Sequence, residues 1–507
     1  MLKTPFFSKS SVVVSENPLA TMIGVEVLRR GGNAVDAAVA ISFALAVTVP
    51  HLGGIGGDFF ALVRLPNSDV RFINGSGYAP RNATATKLKE MGLKEMPERG
   101  PLSPVVPGQV EGLHLLWKEL GTFEWEELLM PAVLLASEGF PASHELVRTI
   151  AENSELLSRD EGSRFTYLHN GLPKPGDIVR FPNLARALRM IREDHRNFYE
   201  GDIAVKLSKY LQEKGGLLTY EDLKDFEAYE DSPLRMRWGD VEVYEMPPNT
   251  QGITTLQILK LLEGLNGEIP SRSSERASNY LEAYVKAYSL RDMYVTDPRF
   301  MSIKPSDLLT QGILSQAAGG LSRTSGGDGD TTFFAVIDGE GMAVAGIQSL
   351  FSHFGSGITE PTYGITLNAR ASSFTLIDGH ANKLEPRKRP MHTLSAMIVN
   401  HGDDTFRVIG LSGGHYRPQL HALLFTNLYH YGMNPQEALD HPRFLWDPKT
   451  GGITVEEGFE PPMKARNVKK VPYPSRLGVA AIAEVVGGVV MSSYVDVRVD
   501  GLPAGLP

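Results

Sequence analysis

Residues 317–350 read AAGGLSRTSGGDGDTTFFAVIDGEGMAVAGIQSL, and the two halves of this stretch obey opposite rules. Residues 317–330 are glycine-rich, with Leu321 as the one large apolar side chain, so they bury too little surface to order themselves and are expected to be mobile. Residues 331–337 (TTFFAVI) are apolar on both faces of a strand. The turn Asp338-Gly339-Glu340-Gly341 then leads to a second strand over 342–350. A loose tether thus ends abruptly at a buried hairpin, with Thr331 at the junction.

Working outward, Asn17 and Pro18 read as an N-cap and first-turn proline of a helix that stops at Gly31-Gly32. A second helix over about 34–48 is apolar on nearly every face, as a helix between layers must be. Residues 59–64 and 70–74 read as strands around Pro66-Asn67. Residues 108–220 read as mostly helical, with Trp117, Leu128, Leu134 and Leu188 in apolar stripes. A strand at 241–244, helices at 252–264, 274–293 and 418–431, and strands at 363–367, 374–377, 395–400 and 405–410 complete the reading.

Composition narrows the chemistry. The chain has 507 residues, 42% hydrophobic and 21% charged, ample for a large core and by length worth about three domains or one large layered unit. With no cysteine, thiolate nucleophiles, disulfides and Cys-ligated zinc are excluded. A formal charge of −9 without clustered Lys and Arg argues against nucleic acid, so a small-molecule partner is expected. Residues 1–15 show no signal-peptide pattern, so a cytoplasmic location is expected. The apolar run 37–49 is too short to span a bilayer, and no membrane contact is expected. The histidines form no H-E-x-x-H pattern, and the glycine loops at 53–57, 75–77 and 355–357 lack a P-loop Lys-Ser/Thr pair. Neither a metal nor any other cofactor is expected.

Two nucleophiles merit comparison. Gly410-Leu411-Ser412-Gly413-Gly414 matches G-x-S-x-G between a strand and a helix, but the acid and histidine that must follow reduce to the adjacent Asp440 and His441, which can hardly bond each other. The same glycines at a helix start can supply oxyanion-binding N–H groups instead. Thr331 needs a base, and cutting the Asp330–Thr331 bond would give it one, an α-amine with pKa near ~8. An ordinary Thr-Thr at the start of a strand is the plainer alternative.

The chain resembles the γ-glutamyltranspeptidase superfamily of N-terminal-nucleophile hydrolases over almost its whole length. Gly31-Gly32-Asn33-Ala34-Val35-Asp36-Ala37-Ala38 and His51-Leu52-Gly53-Gly54-Ile55-Gly56-Gly57 match its N-terminal signature. Val106-Pro107-Gly108, Pro247-Pro248-Asn249, Thr331-Thr332, Lys388-Arg389-Pro390, Ser412-Gly413-Gly414 and Asp496-Val497-Arg498-Val499-Asp500-Gly501 follow in family order. The resemblance implies an α/β (α+β) fold, a four-layer αββα sandwich, made as a precursor that cleaves itself at Asp330–Thr331. Residues 1–330 would be the large subunit and 331–507 the small one, intertwined in one globular unit that can form homo-oligomers. It implies Thr331 as nucleophile and base, Ser349 as supporting hydroxyl, and Gly413 and Gly414 as oxyanion donors.

The substrate positions depart from the family pattern. Ser76 stands where the family keeps an Arg that binds the γ-glutamyl carboxylate, and Phe351 stands for an Asn. Arg370 stands for a Gln or Glu, Ser373 for an Asp, and His392-Thr393 for a Ser-Ser pair. Without the Asp, and with a cation at 370, a γ-glutamyl α-ammonium should bind badly. Arg370, with His392 near it in the family's geometry, would suit an acyl group carrying a carboxylate and no adjacent amine, unless Arg370 turns to solvent or pairs with a local acid. The expected activity is that of an autoprocessing threonine amidohydrolase opening a small amide, akin to dicarboxylic-acid monoamide hydrolases and cephalosporin acylases. A γ-glutamyltransferase or glutathione hydrolase with altered contacts, and an uncleaved non-enzymatic family member, are the rivals.

Overall fold

A computed structural model describes residues 3–264, 268–317 and 330–507. Most of the glycine-rich tether expected to be mobile lies outside the described residues. Two seven-stranded sheets form the centre. In spatial order, one runs Phe6–Ser8, Val490–Val495, Ala480–Val486, Phe406–Leu411, Ala396–Asn400, Val241–Glu245 and Leu234–Trp238. The other runs Leu502–Leu506, Ser11–Ser15, Asp330–Ile337, Ala343–Phe351, Asp58–Arg64, Val70–Gly75 and Tyr229–Asp231. Residues from both sides of position 330 contribute to each sheet.

The two-residue period of a strand assigns the layers. Phe333, Ala335 and Ile337 pack with Val12, Val14, Ala396, Val408 and Ala481 in an apolar seam between the sheets. Phe334 and Val336 point the other way, into a helical layer with Ile41, Phe43 and Leu45. A second helical layer, built on Gly252–Leu262, Ser274–Tyr294 and Arg417–Tyr429, covers the other sheet. The result is the four-layer αββα sandwich. Helix Ala34–Thr48 is buried at every position, as its all-round apolar character requires, and Asn33 with Asp36 forms its capping box. Asn17 caps helix Pro18–Arg29 through its side-chain oxygen. No helix among the described residues is long and apolar enough to cross a membrane.

Several expectations need correction. Residues 374–377 are not a strand. Asn368 Oδ1 accepts the Arg370 amide and the chain tightens into the 3-10 helix Arg370–Ser373, leaving Thr375 one isolated bridge to Lys383. The strand expected at 363–367 shrinks to Ile365–Thr366. Leu134, expected in an apolar stripe, is 45% exposed. Ser11–Ser15 and the C-terminal strands at 480–486, 490–495 and 502–506 escaped the sequence reading altogether.

Candidate active site

The hairpin strands Asp330–Ile337 and Ala343–Phe351 pair in regular register up to Thr332 opposite Gln348, and then slip, so that Asp330 faces Phe351. Thr331 therefore faces two residues, Ser349 and Leu350, in a β-bulge of the kind that re-aims a side chain. Phe351 takes φ +86°, costly for a bulky residue, and its amide donates to Ser349 Oγ at 2.7 Å, which fastens the distortion. The expected supporting hydroxyl thus lies in the same bulge as the expected nucleophile. Thr331 is buried, and its Oγ1 accepts a hydrogen bond from Arg417 Nη2 at 2.9 Å.

Arg417 reaches Thr331 because of the glycine turn before it. Strand Phe406–Leu411 ends, Gly413 takes φ +146°, Gly414 takes φ +49°, and the chain enters helix Arg417–Tyr429. A Cβ on Gly413 would stand 2.7 Å from Leu420 Cδ1, so both backbone angle and packing require glycine. From the first helical position Arg417 turns back, its Nε donating to the carbonyl of Leu411 at 2.7 Å. Gln251 holds the turn, donating to the carbonyls of Gly414 at 2.7 Å and Thr393 at 2.9 Å. Ser412 is bound to Val479 through its amide and its hydroxyl oxygen, a structural use with no imidazole partner. Ser412 and Gly413 line a cavity of about 470 Å³ with Arg148, Tyr416, Lys469 and Arg476 among its walls.

Arg370 is fully buried and does not reach solvent. Its Nε donates to Asp58 Oδ2 at 3.2 Å, its Nη1 to Thr393 Oγ1 at 3.0 Å, and its guanidinium carbon lies 4.5 Å from the centre of the Phe351 ring. The local acid weighed as a possible partner exists, and it is Asp58. Asp58 Oδ2 also accepts from His392 Nε2 at 3.0 Å, and Oδ1 from the Gly77 amide at 2.9 Å. Burial pushes the Asp58 carboxyl up, but the His392 N–H, the Arg370 charge and the Gly77 amide outweigh it and hold it below the usual carboxylate range.

The expectation that His392 faces substrate is corrected here. Its Nε2 serves Asp58 and its Nδ1 accepts the Leu394 amide at 3.2 Å, so both ring nitrogens are used inside the protein. Burial and the Arg370 charge push it down to about 3, a neutral imidazole. Ser76 likewise spends its hydroxyl on Asn74 Oδ1 at 2.6 Å, beside Asn249. Thr393 is occupied by Arg370, whereas the Ser373 hydroxyl is buried without a partner.

Sequence reasoning missed Asp58, Arg417 and His415. Asp58 directly follows the glycine loop 53–57 and Arg417 opens the helix after Gly413-Gly414, so both stand beside signals that were read. Burial and the Arg370 charge push Arg417 down to about 9, still protonated at neutral pH. Glu245, near Arg417, is pushed well above the usual carboxylate range by burial. Among the described residues no group of three or more His, Asp or Glu side chains could hold a metal ion.

The gamma-glutamyltranspeptidase family model matches residues 20–501. The glutathione hydrolase-like YwrD proenzyme of Bacillus subtilis (strain 168) is 37% identical over 465 residues, 88% of each chain. The oxamate amidohydrolase proenzyme of Klebsiella pneumoniae is 32% identical over 478 residues, 90% of each chain. A cephalosporin acylase from Bacillus halodurans superposes with a TM-score of 0.91 at 29% identity, over 100% of this chain and 98% of that one.

Proposed function

This chain belongs to the gamma-glutamyltranspeptidase family, and we propose that it cuts itself between Asp330 and Thr331 and then hydrolyses a small amide whose acyl group bears a carboxylate. The observation that carries this reading is the buried Thr331 hydroxyl, set in a bulge at the head of a central strand with a guanidinium on its oxygen. In the precursor, Thr331 Oγ attacks the Asp330 carbonyl carbon, the peptide C–N bond breaks to leave an ester, and water opens the ester. The products are a carboxylate on Asp330 and a free α-amine on Thr331, in a large fragment 1–330 and a small fragment 331–507.

In turnover that amine takes the hydroxyl proton while Oγ attacks the substrate carbonyl. The Gly413 and Gly414 N–H groups hold the oxyanion, a contribution on the order of 10²–10³ in kcat per donor in comparable sites. The C–N bond breaks, the leaving amine carries off the proton, and water resolves the acyl-enzyme to a carboxylic acid. Arg417 donates to a lone pair of Oγ, so the hydroxyl proton stays available to the base and the developing alkoxide meets a cation.

A γ-glutamyl group fits this pocket poorly. Its α-ammonium would meet Arg370 and Arg417 with Asp58 already shared between Arg370 and His392. Two like charges about 4 Å apart at an effective dielectric near 20 repel by about 4 kcal/mol. The relative named for oxamate, a carboxylate-bearing amide, agrees with this preference.

Thr331→Ala tests the reading. The wild type should run as two fragments in denaturing electrophoresis, the smaller beginning Thr-Thr-Phe-Phe. Thr331→Ala should remain one chain without amidase activity, and Thr331→Ser should keep cleavage and some turnover. An active enzyme in one piece, or strong turnover of glutathione against none of carboxylate-bearing amides, overturns it.

A further inference from the structure

Three buried donors around Thr331 have no partner. Arg370 uses Nε and Nη1 but not Nη2, and Arg417 uses Nε and Nη2 but not Nη1. His415, in the 3-10 turn Gly414–Tyr416, has Nδ1 3.5 Å from Arg291 Nη1. A guanidinium can only donate, so Nδ1 accepts and the ring proton sits on Nε2, which is also without a partner. These groups are 0%, 0% and 5% exposed. Buried polar groups are rarely left unpaired, because a donor kept from both water and a partner is costly, most of all a charged one.

The three belong to one place. Arg370 lies over the Phe351 ring and His415 meets the same ring edge-on at 6.2 Å between centroids. Phe351 sits opposite Asp330 in the hairpin, next to the residue whose hydroxyl Arg417 holds. Arg370 and Arg417 each disfavour protonation of His415, and Arg370 that of Arg417, as neighbouring buried charges do. Among the described residues Arg417 bonds only a carbonyl and a hydroxyl, so its charge has no direct counter-ion. A carboxylate, with two oxygens and four lone-pair sites, matches this donor set.

The position of Arg417 also limits where that carboxylate can be. Its two terminal nitrogens share one carbon, and Nη2 already touches the attacking oxygen at 2.9 Å. A carbonyl carbon under attack stands about 3–3.5 Å from Oγ. An anion on Nη1 is then a neighbour of the scissile carbonyl.

We propose that Arg370 Nη2, Arg417 Nη1 and His415 Nε2 form one carboxylate site, and that its substrate is a short dicarboxylic monoamide with the carboxylate bonded to the scissile carbonyl or one methylene away. The assignment of substrate length rests on Thr331 as nucleophile; the anion site itself does not.

The experiment has two arms. Processed enzyme is assayed on oxamate, malonamate, succinamate and glutaramate, and oxalate and malonate binding is measured by calorimetry on wild type, Arg417→Gln and Arg417→Lys. The expected results are a drop in kcat/KM of at least about tenfold from the better of the two shorter amides to succinamate, and a loss of dicarboxylate affinity of at least about 30-fold in Arg417→Gln. Arg417→Lys, which keeps the cation and guards against misfolding, should lose less. Unchanged dicarboxylate binding in Arg417→Gln, or glutaramate as the best substrate, overturns the proposal even if hydrolysis is robust. Dicarboxylate binding that depends on Arg417, with no amide in the series cleaved, upholds the anion site and instead defeats the hydrolase reading.

Discussion

Replacing Asp58 with Asn removes a negative charge from a place water does not reach. The Asp58 and Arg370 side chains are both 0% exposed, so solvent screening does not soften the loss. Asp58 accepts from Arg370 Nε at 3.2 Å, His392 Nε2 at 3.0 Å and the Gly77 amide at 2.9 Å. An amide keeps one acceptor oxygen and turns an NH₂ toward groups that can only donate, so at least one of the three is orphaned. Arg370, with one terminal nitrogen already unpartnered, is left as an uncompensated buried cation. Breaking a buried pair by removing one member costs about 3–5 kcal/mol, and the expected destabilisation for Asp58→Asn is about 4 kcal/mol. Because most of that cost is the stranded charge, the double variant Asp58→Asn/Arg370→Gln should recover about half of it. Urea unfolding of processed enzyme, followed by tryptophan fluorescence with wild type and variants compared at a common slope, measures both numbers. A single variant within about 1 kcal/mol of wild type, or a double variant no more stable than the single, would refute charge pairing as the anchor of Arg370.

Gly413→Ala brings a Cβ to 2.7 Å from Leu420 Cδ1 at φ +146°, displacing the N–H proposed to hold the oxyanion; kcat should fall by about 10²-fold with KM changed far less, as steady-state kinetics would register. His392 lies against Asp58, Arg370 and Phe60, and feels Arg417. Since its folded value is about 3 against 6.5 unfolded, the unfolded chain binds the extra proton between those pH values and stability falls as pH drops through that window. At pH 5 the loss from this residue is about 2 kcal/mol, and His392→Gln should flatten the pH–stability curve by that much between pH 7 and pH 5. Arg370→Gln should raise KM for carboxylate-bearing amides more than for neutral ones of the same length, and equal effects in a substrate panel would place Arg370 outside the binding site.

The hairpin was readable because its signals are local. A glycine-rich run gives way at one residue to a strand apolar on both faces, and the observed strands, Asp330–Ile337 and Ala343–Phe351, lie within a residue of the reading. Helix Ala34–Thr48 was legible for the same reason, since a segment apolar all round has only a buried place to go. Ser11–Ser15 escaped because five residues carry too little periodicity to separate a strand from a loop, and its burial comes from Asp330–Ile337 and Leu502–Leu506, which flank it.

What the amino-acid order determined by itself was a threonine at the head of a buried hairpin and a helix apolar all round, both properties of short runs, while the four-layer sandwich and the glycines that go with the threonine came from the resemblance. Its resemblance to a known family also picked out Arg370 as a departure in the pocket. Only the tertiary structure decided what that arginine does. Asp58 meets Arg370 across 312 residues of chain, and Arg417 meets Thr331 across 86. A buried charge takes its behaviour from whichever groups the fold brings within hydrogen-bond reach, and no spacing along the chain records them.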